Sequence, residues 1–322
     1  MNIKKSLAAL ALWVLGVATA QAAYPERPIR IIVPFPPGAG IDLVARMVAT
    51  KLSGPLGQQI IVDNRPGAGG NIGAEAVARS PADGYTLLLI NNAQTVNVAL
   101  NPNLPFDVNR DFAALGMIGF SPLMLAASNE LPAKSVADVV RLAKASPGKL
   151  NYGSPGPGTP QHLSFELLNL LAGVKIVHVP YKGQGPATGA LIANEIQVMF
   201  GTVAGFAPMI KANRVRPIAT ASAQRLKGYP ELPTIAESGY PSFDVSIWYG
   251  LAAPAKTPPE IVKRFNDELG RMLAIPAERA DFGQKGFEVT PSSPEQLAAF
   301  IRNDLARWQQ VVQKANLTLT PQ

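Results

Sequence analysis

Along most of the chain, short continuous apolar runs alternate with stretches in which apolar positions recur every three or four residues. The runs at 29–33, 59–62, 86–90, 123–127, 175–179, 196–200 and 215–221 are mostly unbroken. Unbroken runs suit strands buried on both faces, as in parallel α/β sheets. Between them, Ile41, Val44, Ala45, Val48 and Leu52 share one face of a helix. Asp42 stands in its first turn, where a carboxylate favours the positive end of the helix dipole. Ile261, Phe265, Leu269, Met272 and Leu273 form a second stripe after Pro258 and Pro259. Ser293, Pro294 and Gln296 supply an N-cap, a proline at the first helical position and a capping-box glutamine. They open a helix carrying Leu297, Phe300, Ile301, Leu305 and Trp308. Strand–helix units repeated over this length predict an α/β protein of two lobes. The run at 123–127 is placed to cross to the second lobe, and 245–252 to cross back.

Three strand–loop–helix junctions carry the candidate chemistry. The first is VPFPPGAGIDLV, residues 33–44, and the second NYGSPGPGTPQHL, residues 151–163. In the second, Thr159 before Pro160 reads as an N-cap, and Leu163, Leu167, Leu170 and Leu171 as the buried stripe. The third, HVPYKGQGP at 178–186, is built alike. Glycines let backbone come close to a ligand, and the free amides of a first helical turn favour a carboxylate or phosphate. Any one such loop is also a good tight turn with no ligand. Three together point to a site, because open α/β sheets bind at the carboxyl ends of their strands.

Nucleotide and catalytic readings fare worse. GAGIDL has leucine where a dinucleotide fingerprint needs its third glycine, and Gly67, Gly69, Gly70 and Gly73 miss the spacing by one. There is no phosphate-loop lysine motif. The chain has two histidines, His162 and His178. Ser154 with His162 and Glu166 can be written as a nucleophile, base and acid, but no nucleophile-elbow motif surrounds the serine. His162 at the third helical position reads as a packing or hydrogen-bonding residue, and His178 as a satisfied core histidine. A His162–Glu166 metal pair lacks a visible third ligand. No metal, cofactor or catalytic residue is assigned, and binding without turnover is the reading.

Composition agrees: 47% hydrophobic and 16% charged residues describe a globular chain of 322 residues. Lys4 and Lys5, the apolar stretch 7–17 and Ala20-Gln21-Ala22 read as a signal peptide, 1–22, cleaved after about Ala22. Export to a periplasm follows, and the net charge falls from +7 to 7 − 2 = +5. With no cysteine, neither a disulfide nor a thiolate site is available. The basic run Lys211, Arg214, Arg216 lacks interleaved aromatics, so nucleic acid is not an expected partner.

The segments YPERPIRIIVPFPPGAG, VDNRPGAGGNIGAE, ADGYTLL, PGKLNYGSPGPGT followed by HL, HVPYKG and APAKTPPEIV occur in that order through nearly the whole chain after the signal. In this arrangement the chain resembles the substrate-binding receptors of tripartite tricarboxylate transporters, the Bug or TctC family. The resemblance implies a two-lobed periplasmic-binding-protein-like (type II) α/β fold, each lobe a mainly parallel sheet flanked by helices. Lobe one is expected over 23–124 plus 248–322, and lobe two over 125–247. It implies a monomer that closes on a small organic carboxylate and passes it to membrane permease subunits, or to a sensor. Carried over, Phe35, Gly38, Ala39, Gly40 and Asp42 form one jaw. Ser154, Gly156, Gly158, Thr159 and His162 form the other, with Asn91, Asn92, Gly201 and Thr202 toward the ligand's far end. The family usually reads P-G-G-[ST]-[ST]-D in the first loop, where this chain has Gly40 and Ile41. With Ile41 facing the cleft, the change favours a carboxylate with an apolar body over a hydroxylated one such as citrate. With Ile41 in the buried helix stripe, it does not.

Overall fold

In the computed structural model, which describes residues 24–101 and 103–314, the apolar runs build two mixed sheets that share one long strand. The first sheet begins with β1 (Ile29–Val33), β2 (Ile60–Asn64) and β3 (Thr86–Asn91), parallel in the order β2-β1-β3. The second holds β5 (Asn151–Ser154), β6 (Val177–Pro180) and β7 (Val198–Thr202), parallel in the order β6-β5-β7.

Antiparallel strands join these two parallel cores, which refines the expectation of mainly parallel sheets. β4 (Phe112–Ala127) pairs with β9 (Ser246–Pro254) as far as Pro122↔Ser246. From Leu123 it pairs instead with β7 and β8 (Arg216–Thr220). β9 closes the first sheet against β3, and β10 (Glu288–Val289) adds to β4. The strand expected at 123–127 is therefore the far half of an element beginning at Phe112. Gly116, Gly119 and Pro122 hide that first half, since glycine and proline argue against a central strand. The register shifts beside both glycines, as at β-bulges. At Gly119 a Cβ would stand 2.1 Å from the Glu288 carbonyl oxygen, so β10 can dock only on glycine.

Helices follow the parallel strands. α1 (Gly40–Leu56), α2 (Asn71–Ala78) and α3 (Asn92–Leu100) belong to the first sheet, α2 being preceded by a short turn of 3-10 helix, Ala68–Gly70. α4 (Val136–Ala145), α5 (Pro160–Ala172), α6 (Gln184–Ile192) and α7 (Val203–Lys211) belong to the second. α8 (Pro259–Ala274), α9 (Pro276–Gln284) and α10 (Pro294–Lys314) complete the chain. The expected stripes of α1 and α8 are buried in full. Ser293 and Gln296 exchange the two bonds of a capping box, at 3.2 and 2.9 Å. On α5 the buried face is Leu163, Leu167 and Leu168, whereas Leu170 and Leu171 are more than a third exposed. The stripe turns away before the helix ends, correcting the expected pattern there. The signal-peptide segment lies outside the described residues.

Candidate functional site

Each parallel strand ends at the same edge of its sheet, so the loops into α1, α3, α5, α6 and α7 gather there. The first loop is held from within by Asp42. Its carboxylate is 3% exposed and accepts from Gly38 N–H, Arg46 Nε and Asn64 Nδ2, each at 2.9 Å. Asn64 Nδ2 also reaches the Phe35 carbonyl at 3.1 Å. Burial pushes the Asp42 carboxyl up, but the bonds from Arg46, Gly38 and Asn64 outweigh it and leave the pKa lowered. Asp42 is thus a brace for its own loop, and its oxygens are already engaged. Ala39 caps α1 with no side-chain bond. Among the described residues, the Gly40 and Ile41 N–H groups make no hydrogen bond. These two amides, at the positive end of a 17-residue helix, are the donors the loop offers. Ile41 is 4% exposed within the main core cluster, so it belongs to the buried stripe.

The second loop is held by neutral groups. Gly158, with φ +73°, donates its N–H to His162 Nδ1 at 3.2 Å. Ser154 Oγ lies 2.7 Å from His178 Nε2 and accepts from Gly156 N–H at 3.1 Å. Thr159 Oγ1 donates to the Gly156 carbonyl at 2.7 Å and accepts His162 N–H at 3.4 Å, as an N-cap should. Behind the loop stands an aromatic column. Phe165 and Tyr152 stack at 4.3 Å, Tyr152 and His178 at 4.9 Å, and His178 and His162 at 4.2 Å. Burial, then the neighbouring His178, lowers the His162 pKa to about 3, and burial lowers that of His178 to about 4. Both are neutral at ordinary pH. The Ser154–His162–Glu166 grouping is not formed: Ser154 meets His178, and Glu166 accepts from Tyr152 Oη at 2.5 Å. His178 lies on the edge strand β6, half-buried, rather than in the core. In this loop the Gln161 N–H makes no hydrogen bond among the described residues.

Three contacts link these loops to other elements, at Phe35, Gly40 and Gly158. The Phe35 ring stands 3.3 Å from where a Gly70 Cβ would be, and Gln94 Nε2 stands 3.0 Å from that point. The Tyr249 hydroxyl lies 3.4 Å from a Cβ placed on Gly40, at the strand that closes the first sheet. A Cβ on Gly158 would fall 2.5 Å from Asn97 Oδ1, so the second sheet's loop rests directly on α3 of the first. Asn91 caps α3 by accepting from Ala93 N–H at 2.9 Å, and Asn92 Nδ2 donates to the Ser246 carbonyl at 3.1 Å. Gly201 and Thr202 stand apart from these contacts and pack against Gln184, which accepts from the Thr202 N–H and hydroxyl, both at 3.1 Å. Sequence reasoning missed Asn64, Gln94, Asn97, Gln184 and Tyr249. Only Gln94 carried a local signal, as the glutamine that completes a capping box with Asn91.

Two sheets that share β4, each sending its parallel strands into helix N-termini, make a two-lobed α/β fold. Residues 44–317 match the model of the tripartite tricarboxylate transporter family receptor, TctC, and the chain belongs to that family. It is 35% identical to the protein BugT of Bordetella pertussis over 325 residues, covering 99% of this chain and 100% of BugT. Among solved structures, an R. palustris protein with adipate superposes with a TM-score of 0.86 at 33% identity, covering 92% of this chain and 99% of that one. MatC from Rhodopseudomonas palustris with bound malate gives a TM-score of 0.83 at 31% identity, covering 90% and 100%.

Proposed function

We propose that this chain is a periplasmic receptor that takes a small organic carboxylate between its two lobes and hands it, unchanged, to the permease subunits of a tripartite tricarboxylate-type transporter. The observation that carries the reading is a pair of unbonded amide sets, one at a helix N-terminus of each sheet. Gly40 and Ile41 on one sheet, and Gln161 on the other, offer N–H groups at helix N-termini without competing acceptors. Adipate and malate in the related structures are ligands of this class. The surrounding groups do little acid–base work, since both histidines are neutral and hold the loop. The lobes are 23–124 plus 248–322, and 125–247; the change of β4's partners after Pro122 supports that division. The receptor acts as a monomer after a signal peptide is cleaved near Ala22.

The test is a thermal-shift screen of the mature protein against organic acids, followed by mass spectrometry of the recovered ligand. A ligand at 100 Kd stabilises the folded state by about 2.7 kcal/mol, a shift of several degrees. Recovery of a converted product would overturn the receptor reading in favour of a hydrolase or isomerase centred on Ser154.

A further inference from the structure

The basic run Lys211, Arg214, Arg216 has no part in the ligand site, and the fold shows where it lies. In the second sheet β4 ends, and β5, β6, β7 and β8 begin, at the edge opposite the ligand loops. The segments that meet there are bonded to one another. Ser128 N–H donates to the Gln197 carbonyl and Gly148 N–H to the Lys175 carbonyl, both at 2.9 Å. Val177 N–H donates to the Leu150 carbonyl at 2.9 Å, and Asn129 Nδ2 to the Asn213 carbonyl at 2.8 Å. Arg216 Nη1 ties down the loop after β4 through the Leu131 and Ala133 carbonyls, at 2.8 and 3.0 Å. Segments 128–150, 173–176, 193–197 and 211–216 thus make one continuous end of the molecule.

The charge of this end is one-sided. Arg141 is paired with Asp138 at 3.1 Å, and Arg216 is engaged by carbonyls. Lys134, Lys144, Lys149, Lys175, Lys211 and Arg214 are exposed and form no ion pair among the described residues. The carboxylates facing them, Glu130 and Glu195, leave a free excess of 6 − 2 = +4, most of the +5 that remains to the chain after the signal. These segments contain no phenylalanine, tyrosine or tryptophan. A protein interface draws its energy from an apolar or aromatic centre, and a single-stranded nucleic acid stacks on aromatic rings. Lysines on separate connections offer instead mobile, hydrated point charges spread over one end of a lobe. That suits a charged plane that needs no register, such as the anionic headgroups of a bilayer. Among the described residues no helix is long and apolar enough to cross a membrane, so such a hold is peripheral.

We infer that this end of the second lobe rests on anionic lipid and holds the protein at the membrane by charge. The ligand loops lie at the opposite edge of the sheet and stay uncovered. The inference goes beyond the carboxylate reading and does not depend on it. Each lysine within a Debye length of the surface strengthens binding about fivefold, so three in range give about a hundredfold.

Co-sedimentation of the mature protein with lipid vesicles tests it. Vesicles containing phosphatidylglycerol should bind about a hundredfold more tightly than phosphatidylcholine alone. Salt at about 1 M, where the Debye length is about 3 Å, should abolish the difference. Lys149→Gln, Lys175→Gln and Lys211→Gln together should weaken binding to the anionic vesicles by about a hundredfold. A control with the same change in net charge places Lys256→Gln, Arg302→Gln and Lys314→Gln on the first lobe, at exposed positions without ion pairs among the described residues. It should cost less than about threefold, since charges beyond a Debye length are screened. Melting curves check that both variants fold, and the lipid and salt comparisons on the wild type stand without them. No preference for anionic vesicles, or equal losses in the two variants, would overturn the inference. So would tighter binding to polyglutamate than to the vesicles, which would make an acidic protein the partner. The thermal-shift screen decides the receptor reading separately.

Discussion

The loops at 34–39 and 155–159 are both rich in proline and glycine, and both feed a helix N-terminus, yet they are held by opposite chemistry. The first is braced by an ionised carboxylate, Asp42, with Arg46 and Asn64 as donors. The second is braced by two neutral imidazoles and two hydroxyls. A motif made of glycine and proline fixes only the backbone's freedom; the residues that remove that freedom come from elsewhere and decide how each jaw responds to mutation and pH. The same difference governs which amides remain for a ligand. Asp42 binds the Gly38 N–H and so leaves Gly40 and Ile41 free, whereas His162 takes the Gly158 N–H and leaves Gln161.

The largest effect should come from removing the charged brace. Asp42→Ala strips a buried acceptor from Gly38, Arg46 and Asn64 together. Breaking a buried, hydrogen-bonded charge in this way is expected to destabilise by about 3 kcal/mol. Part of the arginine's loss is recovered because its guanidinium is half exposed and returns to water. Denaturant unfolding would measure the loss, and ligand titration should show binding weakened as well, since the first loop is no longer set. Unchanged stability would mean that the loop holds its shape without Asp42.

Acid should then separate the two jaws. The His162 and His178 pKa values lie below the ordinary 6.5, at about 3 and about 4, because burial disfavours the charged form. The unfolded chain therefore binds more protons than the folded one once pH drops below 6.5. Stability from these neutral histidines is complete above that value and is lost as pH falls toward the folded values. At pH 5 the loss from His162 is about 2 kcal/mol. It is smaller for His178, on its half-exposed edge strand. Asp42 titrates in the other sense: with its pKa lowered below 3.8, it remains ionised through this window. Between pH 6.5 and 5 the second loop should thus loosen while the first stays set. Melting temperature against pH should slope in that window, and His162→Gln should flatten the slope. An identical slope in the variant would remove His162 from the account.

The contact between the jaws gives a sharper and smaller effect. Gly158→Ala forces a side chain into a left-handed conformation, at about 1–2 kcal/mol. Its Cβ would also fall 2.5 Å from Asn97 Oδ1 on the opposite sheet. The conformational strain lies within the loop, whereas the clash lies across the contact between the two sheets. Pairing Gly158→Ala with Asn97→Ala separates them: stability stays reduced while ligand affinity recovers. Scattering with and without ligand gives the second readout. The wild type should contract on binding and the single variant should contract less.

How much of this was legible in the sequence follows the range of the interaction. The stripe of α1, the Ser293–Gln296 box and the Thr159 cap are set within a few residues, and periodicity or capping chemistry reveals them. Asn64, Asn97 and Tyr249 act on loops distant in the chain, and nothing beside them marks that role. Asp42 shows both limits: its place in a first helical turn was evident, but its direction, back onto Gly38 rather than toward a ligand, depends on Asn64 across the strand. Ile41 likewise had two faces open to it from spacing, and only packing chose the core.

The smallest effect concerns Thr159, which sequence reasoning made both a cap and a ligand contact. Its hydroxyl proton goes to the Gly156 carbonyl, and its oxygen accepts the His162 N–H. A hydroxyl has a single proton, so no donor remains for a carboxylate, and a carboxylate has none to offer in return. Thr159→Val keeps the shape and removes both bonds. The expected loss is about 1 kcal/mol of stability, the worth of a cap. Affinity should change by less than about threefold, because the free amide of the loop belongs to Gln161 and survives the substitution. Thermal unfolding and calorimetry on the same variant decide it. A tenfold fall in affinity with stability intact would mean that the hydroxyl turns to the ligand on binding, and that the second jaw rearranges where the first does not.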